Sequence, residues 1–387
     1  MTELYYFDNS ATTLKKPAAV AEAVYHAIAD AQLGNPARGS HTVSLNALRL
    51  TERLRQKTAA LFGVPDAANV AFTSNATASL NMVLKGLLNP DDHIITTLTE
   101  HNAVLRPLYQ LEEQGTALSF VGVDEFGTLL YSDFERLLRP DTRAVVVNHA
   151  SNVTGNVADL ERIGSFCREH DLLFIVDASQ SAGVLDIDMV KLHIDVLCFT
   201  GHKGLYGPQG TGGICLGDRP LEFVPVFTGG SGFHSFDKQY PTEMPTLFEA
   251  GTQNVHGLAG LSAGLDYISQ KGLAAITSHL QELTFRFHDQ IKNIPGITLY
   301  GSFAENMERA PVVSLNLEGW SSGDLSDALF MDYAIAVRPG AHCAPLIHQA
   351  FGTEKNGMVR FSFSSFNTVE EIDYAAKALR RLAEEDY

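Results

Sequence analysis

Apolar residues along this chain alternate between two patterns. Short continuous apolar runs at 70–72, 93–96, 144–148, 172–176 and 196–200 have the length of buried strands. Between most of them, at 77–88, 102–114 and 160–170, apolar residues recur at helical spacing. Ahead of the first run, Pro17 opens an Ala-rich amphipathic stretch over 17–31, and proline suits a first helical turn. A second helix is expected over 44–62, stopped by Gly63 as a C-terminal cap. Strand, helix, strand in repetition predicts an α/β fold with a mostly parallel sheet covered on both faces.

After Gly257 the pattern changes. A long helical stretch over 262–294 precedes apolar runs at 311–317 and 359–363 and a terminal helix over 369–382. This predicts two domains: a large ligand-binding one over 16–257, and a smaller α+β one over 258–387 that includes residues 1–15. The Gly- and Ser-rich run 228–235 reads as a loop.

Composition narrows the function. The 387 residues are 45% hydrophobic, enough for a large core, and the formal net charge is −17. A chain that acidic has no general attraction to phosphate backbones or anionic lipid, so nucleic acid and membrane are not expected partners. Cys167, Cys198, Cys215 and Cys343 are far apart and form no CxxC pair, so neither a zinc site nor a disulfide framework is expected. The N-terminus shows no signal peptide, and no stretch approaches the ~18 apolar residues of a membrane span. A cytoplasmic location is the expectation.

Three motifs carry candidate chemistry. In Thr200-Gly-His-Lys-Gly, Lys203 follows a buried strand and is flanked by glycines, which are expected to let backbone approach a bulky group closely. A lysine partly desolvated beside other cations has a lowered pKa and can form an imine. In Phe174-Ile-Val-Asp, Asp177 ends an apolar strand, where open α/β sheets bind ligands; it also suits a helix N-cap. Thr73-Ser-Asn-Ala-Thr sits between a strand and a helix, a natural phosphate site that ordinary capping also explains. No GxGxxG follows a first strand and no GxxxxGK[ST] occurs, which disfavours nucleotide binding.

Together these residues resemble the class V aminotransferase superfamily of fold-type I pyridoxal-phosphate enzymes, within it the cysteine desulfurase and selenocysteine lyase family. The resemblance runs from Phe7-Asp-Asn-Ser-Ala-Thr-Thr through Thr99-Glu-His-Asn, His149-Ala-Ser-Asn-Val-Thr-Gly and Glu249-Ala-Gly-Thr-Gln-Asn to Arg338-Pro-Gly-Ala-His-Cys and Val359-Arg-Phe-Ser-Phe. It implies pyridoxal 5'-phosphate as cofactor, bound covalently by Lys203, which also moves protons. Asp177 would pair with the ring nitrogen, Gln180 with the ring hydroxyl, and His101 would stack on the ring. Ala76, Thr77, Thr200 and His202 would hold the phosphate, joined by Thr252 from the second subunit of a homodimer. Asn152 and Arg360 would bind the amino-acid substrate, with Arg38 supplied across the dimer.

The same resemblance makes Cys343 the cysteine that receives sulfur as a persulfide. A thiol on a loop bounded by Gly340 and Pro345 is expected to be accessible, and His342 beside it is expected to help lower its pKa. The implied reaction takes L-cysteine to L-alanine and passes sulfur to a thiol or a sulfur-carrier protein. L-selenocysteine, another class V lyase or aminotransferase reaction, and a non-catalytic sulfur carrier are the alternatives. The short segment between Arg338 and Arg360 resembles the branch with a compact cysteine loop.

Overall fold

The structure is a computed structural model that describes residues 4–36, 39–304 and 307–384. Arg38 therefore lies outside the described residues.

Seven strands build the main sheet: β1 Val70–Thr73, β2 His93–Thr97, β3 Ala117–Val121, β4 Thr142–Asn148, β5 Leu173–Asp177, β6 Val196–Thr200 and β7 Gly212–Leu216. Their spatial order is β1-β7-β6-β5-β4-β2-β3. All neighbours are parallel except β7, which runs antiparallel to both β1 and β6. The sheet is buried on both faces because alternate side chains of a strand serve opposite cores. In β5, Phe174 and Val176 enter the core that holds Phe62 and Phe199, while Leu173 and Ile175 enter the one that holds Leu80 and Leu108.

The carboxyl ends of β4, β5 and β6 carry Asn148, Asp177 and Thr200, and β4 and β5 are in register so that Asn148 faces Asp177. The helices Ala76–Leu87 and Asn102–Glu112 start at the same edge of the sheet.

A second, antiparallel sheet follows: β8 Ile297–Tyr300, β9 Val312–Leu317, β10 Arg338–Gly340 and β11 Met358–Ser362, in the order β10-β11-β9-β8. The N-terminal segment joins the two parts. Tyr5–Tyr6 pairs in parallel with Ile335–Ala336, Asp8 bridges to Ser362, and Thr13 N–H donates to the His202 carbonyl beside Lys203.

The expected strands and helices are present, with boundaries moved by a residue or two. The long helical stretch is in fact two helices, Val255–Lys271 and Leu273–Ile291, because Gly272 takes φ +83°, which breaks a right-handed helix. The first of them packs on Ala18–Ala29 and on Thr42–Phe62. Several elements were not expected from the pattern, among them the strands Ala117–Val121, Ile297–Tyr300 and Arg338–Gly340 and the helices Ser132–Leu137, Ser322–Tyr333 and Pro345–Phe351. β3 is the half-exposed edge strand, and Ser132–Leu137 is a helix too short to show a period. No regular element occurs over 217–245, the expected loop included. Among the described residues, no helix is long and apolar enough to cross a membrane.

Candidate active site

A cleft open to solvent lies where the strand ends and helix starts converge. Lys203, Asp177, Thr200, His101, Asn152 and Gln180 line it, together with Ala76, Thr77 and His202. Nine of the thirteen expected site residues are thus in one place. Arg360 adjoins them through Asn152. Thr252 lines a separate pocket with Thr73 and Gly210.

Lys203 follows β6 on a turn closed by its own carbonyl, which accepts from Tyr206 N–H and from Thr13 Oγ1 at 2.9 Å. Burial lowers its pKa to about 8; Asp177 opposes this, and Arg360 and Arg338 add to it. The flanking glycines have a different cause from the one expected. A Cβ on Gly201 would lie 2.2 Å from Thr211 Oγ1, and one on Gly204 would lie 2.4 Å from the Ala182 carbonyl. They are small because the chain packs against itself there.

Asp177 is 4% exposed. No helix follows it, so it is not an N-cap. Its Oδ1 accepts from Ser179 N–H at 2.9 Å and from the Ser179 hydroxyl, which fixes the carboxylate in the cavity lining. His101 does cap a helix: Nδ1 accepts from Ala103 N–H at 3.0 Å, the first turn of Asn102–Glu112. The proton of the neutral ring then sits on Nε2. Burial lowers the His101 pKa to about 4, so the ring is neutral at pH 7. One imidazole both caps the helix and lines the cavity.

Another part of the cavity lining suits an anion. The first-turn N–H groups of Ala76 and Thr77 belong to a helix whose Asn75 cap accepts from Ala78 N–H at 2.9 Å. Thr200 Oγ1 is buried there without a partner. His202 stands beside it, its Nδ1 3.0 Å from Thr12 Oγ1. An orphan hydroxyl, a helix start and an imidazole make a phosphate-sized cradle. The carboxylate of Asp177, also in the lining, suits a protonated ring nitrogen. The residues present fit pyridoxal 5'-phosphate.

Behind Asn152, Arg360 is 2% exposed and donates from Nη2 to Asp8 Oδ1 at 2.9 Å and from Nη1 to the Asn152 carbonyl at 3.0 Å. Its Nε and the Asn152 Oδ1 are buried without partners. Asn152 Nδ2 donates to the His342 carbonyl at 2.8 Å, so the cysteine loop is tied to a residue that lines the cavity.

Cys343 is exposed. Its carbonyl accepts from Asn102 N–H at 2.7 Å, one residue past His101. His342 and Cys343 are consecutive non-glycine residues at φ +52° and +56°, a backbone that L-residues adopt at a cost. His342 does not assist the thiol as expected. It is buried, Nε2 lies 3.0 Å from the Arg338 carbonyl, and burial with the nearby Arg360 charge lowers its pKa to about 3. A neutral, inward ring supplies no positive charge to a thiolate.

Asn75, Ser179 and Asp8 lie inside the motifs but were given no role in the site, and Asn148 lies just outside them; all four shape the site. For Asn148 a signal existed: it is a polar residue closing a buried apolar run, the same pattern that singled out Asp177.

Several known proteins are similar to this chain in sequence and in structure. The Aminotransferase class-V family matches residues 5–375. A probable cysteine desulfurase of Pyrococcus abyssi is 34% identical over 98% of this chain and 94% of its own length. One of Mycolicibacterium paratuberculosis is 33% identical over 98% of this chain, which spans 56% of that longer relative. Among solved structures, the apo cysteine desulfurase of Thermococcus onnurineus NA1 superposes with a TM-score of 0.92 at 35% identity, covering 98% of this chain and 95% of the other. The chain belongs to the class V aminotransferase family.

Proposed function

We propose that this protein is a pyridoxal-phosphate-dependent cysteine desulfurase that converts L-cysteine to L-alanine and keeps the sulfur on Cys343 as a persulfide. One observation carries the reading. The exposed Cys343 is tied by its carbonyl to Asn102, beside the His101 that lines the cavity of the buried Lys203. An exposed thiol whose backbone is tied next to the His101 of a lysine–aspartate cavity suits sulfur transfer.

Lys203 would hold the cofactor covalently, Asp177 its ring nitrogen, Gln180 its ring hydroxyl, and Ala76, Thr77, Thr200 and His202 its phosphate. When bound, the cofactor supplies an electron sink for the substrate α-carbon. Lys203 Nζ, with its lowered pKa, takes the α-proton and later returns one. Arg360 and Asn152 orient the substrate carboxylate through planar, two-point hydrogen bonding. The Cys343 thiolate attacks the substrate sulfur: an S–S bond forms, the Cβ–S bond breaks, and Cβ takes a proton to become the alanine methyl. Thr252, and Arg38 with it, would complete the site from the second subunit of a homodimer. Residues 16–257 would form the cofactor-binding unit and 258–387, with 1–15, the second.

Alanine release from L-cysteine with a reducing thiol tests the reading. Wild type should form alanine and sulfide in equal amounts. Cys343→Ala should keep the absorbance of bound cofactor and lose alanine formation by at least about 100-fold, the scale on which an essential nucleophile acts. Turnover that survives the substitution, or alanine formed only from L-selenocysteine, would move the lyase reading to the front.

A further inference from the structure

Bonded to the cavity-lining Asn148 is a buried carboxyl group that the reaction does not use. Glu100 is fully buried, one residue before His101. Its Oε1 lies 2.7 Å from Thr97 Oγ1 and accepts from Asn148 N–H at 2.9 Å, while Oε2 is buried without a partner. Thr97 Oγ1 lies 2.7 Å from Thr99 Oγ1, and Thr99 Oγ1 lies 2.8 Å from Asn148 Oδ1. Asn148 in turn lines the cavity and faces Asp177 across β4 and β5.

The protons in this row can be counted. Three close oxygen–oxygen contacts run from Glu100 through Thr97 and Thr99 to Asn148, and each needs one proton. The two threonines supply two. Asn148 cannot supply the third through Oδ1, because its Nδ2 is committed to the Thr99 carbonyl at 2.7 Å; a flipped amide would set two carbonyl oxygens against each other. Thr97 Oγ1 also accepts from Thr99 N–H at 3.2 Å, which leaves it one donor and one further acceptor site. The row closes only if Glu100 carries a proton on Oε1. An ionised Glu100 would leave one oxygen pair at 2.7–2.8 Å with nothing between, and an unpartnered anionic oxygen besides.

We infer that Glu100 is held as a neutral carboxylic acid and, as the first donor of a row of hydroxyls, acts as a positioning residue that fixes the Asn148 amide beside Asp177. Burial raises the Glu100 pKa to about 8, in the same direction, and the neighbouring Asp177 charge adds to it. Two carboxylates in one low-dielectric site do not both ionise readily. A neutral Glu100 therefore leaves the negative charge beside the cavity to Asp177, whose field acts on Lys203. This deepens the proposed function, but the carboxyl state itself does not depend on which amino acid is turned over.

Infrared spectroscopy on the cofactor-free protein reads that state directly. A protonated glutamic acid carbonyl stretch at pH 7, shifted in heavy water, should be present in wild type and absent in Glu100→Gln. Wild type labelled with ¹³C at glutamate carries the same test without a variant. Absence of the band overturns the proposal, whatever the enzyme does to cysteine. A second arm reads charge in the holoenzyme. If Glu100 is neutral, Glu100→Gln should move the Lys203-linked titration of the cofactor absorption by under about half a unit; loss of a nearby anion would lower it by about a unit or more. The positioning half stands on Thr99→Val, which breaks the row while leaving the carboxyl. It should weaken cofactor binding about tenfold, the worth of one buried hydrogen bond. A change within twofold would overturn that half.

Discussion

Lys203 is a charged side chain kept in a place that does not suit a charge. Its pKa falls from 10.5 to about 8, with burial as the main cause. The unfolded chain therefore binds the proton more tightly than the folded one between those values, so stability rises with pH across that window. Below about pH 8 the full cost of burying the ammonium is present. Lys203→Met should thus stabilise the cofactor-free protein at pH 7, by on the order of 1–3 kcal/mol, while abolishing turnover. Urea denaturation at pH 7 and pH 10 checks it: the gain should shrink at the higher pH. Stabilisation that does not change with pH would mean that packing, not charge, is the cause. The position of Lys203 and Asp177 was legible in the sequence because each polar residue interrupts or closes an apolar run. The role of His342 was not. Adjacency to Cys343 in sequence says nothing about direction, and two left-handed residues in a row turn the imidazole inward and the thiol outward.

Elements place these side chains, and they do so through close backbone contact. The turn after β6 packs so tightly on the segment at Ala182 and Gly183 that the Gly204 carbonyl would meet a Cβ on Gly183 at 2.4 Å, and the Ala182 carbonyl one on Gly204 at the same distance. Neither neighbour is a flexible side chain. Gly204→Ala should destabilise by about 3 kcal/mol and displace Lys203, since backbone must move to admit a methyl group. Gly251 is the control: it has φ +89° and open space around its Cβ, so Gly251→Ala should cost only about 1 kcal/mol of backbone strain. Equal losses for the two would show that packing at Gly204 is not the determinant. The strand and helix pattern was readable where burial is continuous, as in β6. It failed where an edge is half-solvated, as in β3, and at Gly272, where one backbone angle splits a helical run that hydrophobic spacing alone shows as unbroken.

Across the whole molecule, one buried ion pair joins parts that are distant in sequence. Arg55, on the helix Thr42–Phe62, is 3% exposed and donates from both Nη atoms to the two Glu249 oxygens at 2.6 Å. Glu249 Oε1 also accepts from Phe72 N–H at 2.8 Å, and Arg55 Nη1 donates to the Val70 carbonyl. A helix, the edge strand β1 and the segment that leads to Thr252 are therefore held by a single carboxylate. Removing it leaves the buried guanidinium with only the half-exposed Glu52 carboxylate, 3.1 Å from Nε, so Glu249→Ala should cost about 3 kcal/mol. Replacing both partners by apolar residues, Arg55→Met with Glu249→Leu, should recover most of that loss, because the desolvation of both charges disappears as well. Denaturant titration of Arg55→Met, of Glu249→Leu and of the double variant gives the coupling directly. The sequence shows Glu249 only as part of a motif, because its partner lies almost two hundred positions away and nothing in either local pattern points to the other. The pair also bears on the proposed dimer. Thr252 follows Glu249 closely, so if Thr252 completes a partner's phosphate site, Glu249→Ala should weaken cofactor binding by more than Thr252→Ala alone, with both effects read by cofactor absorbance at equilibrium. A Glu249→Ala protein that is destabilised yet binds cofactor as tightly as wild type would place Thr252 outside any cofactor site.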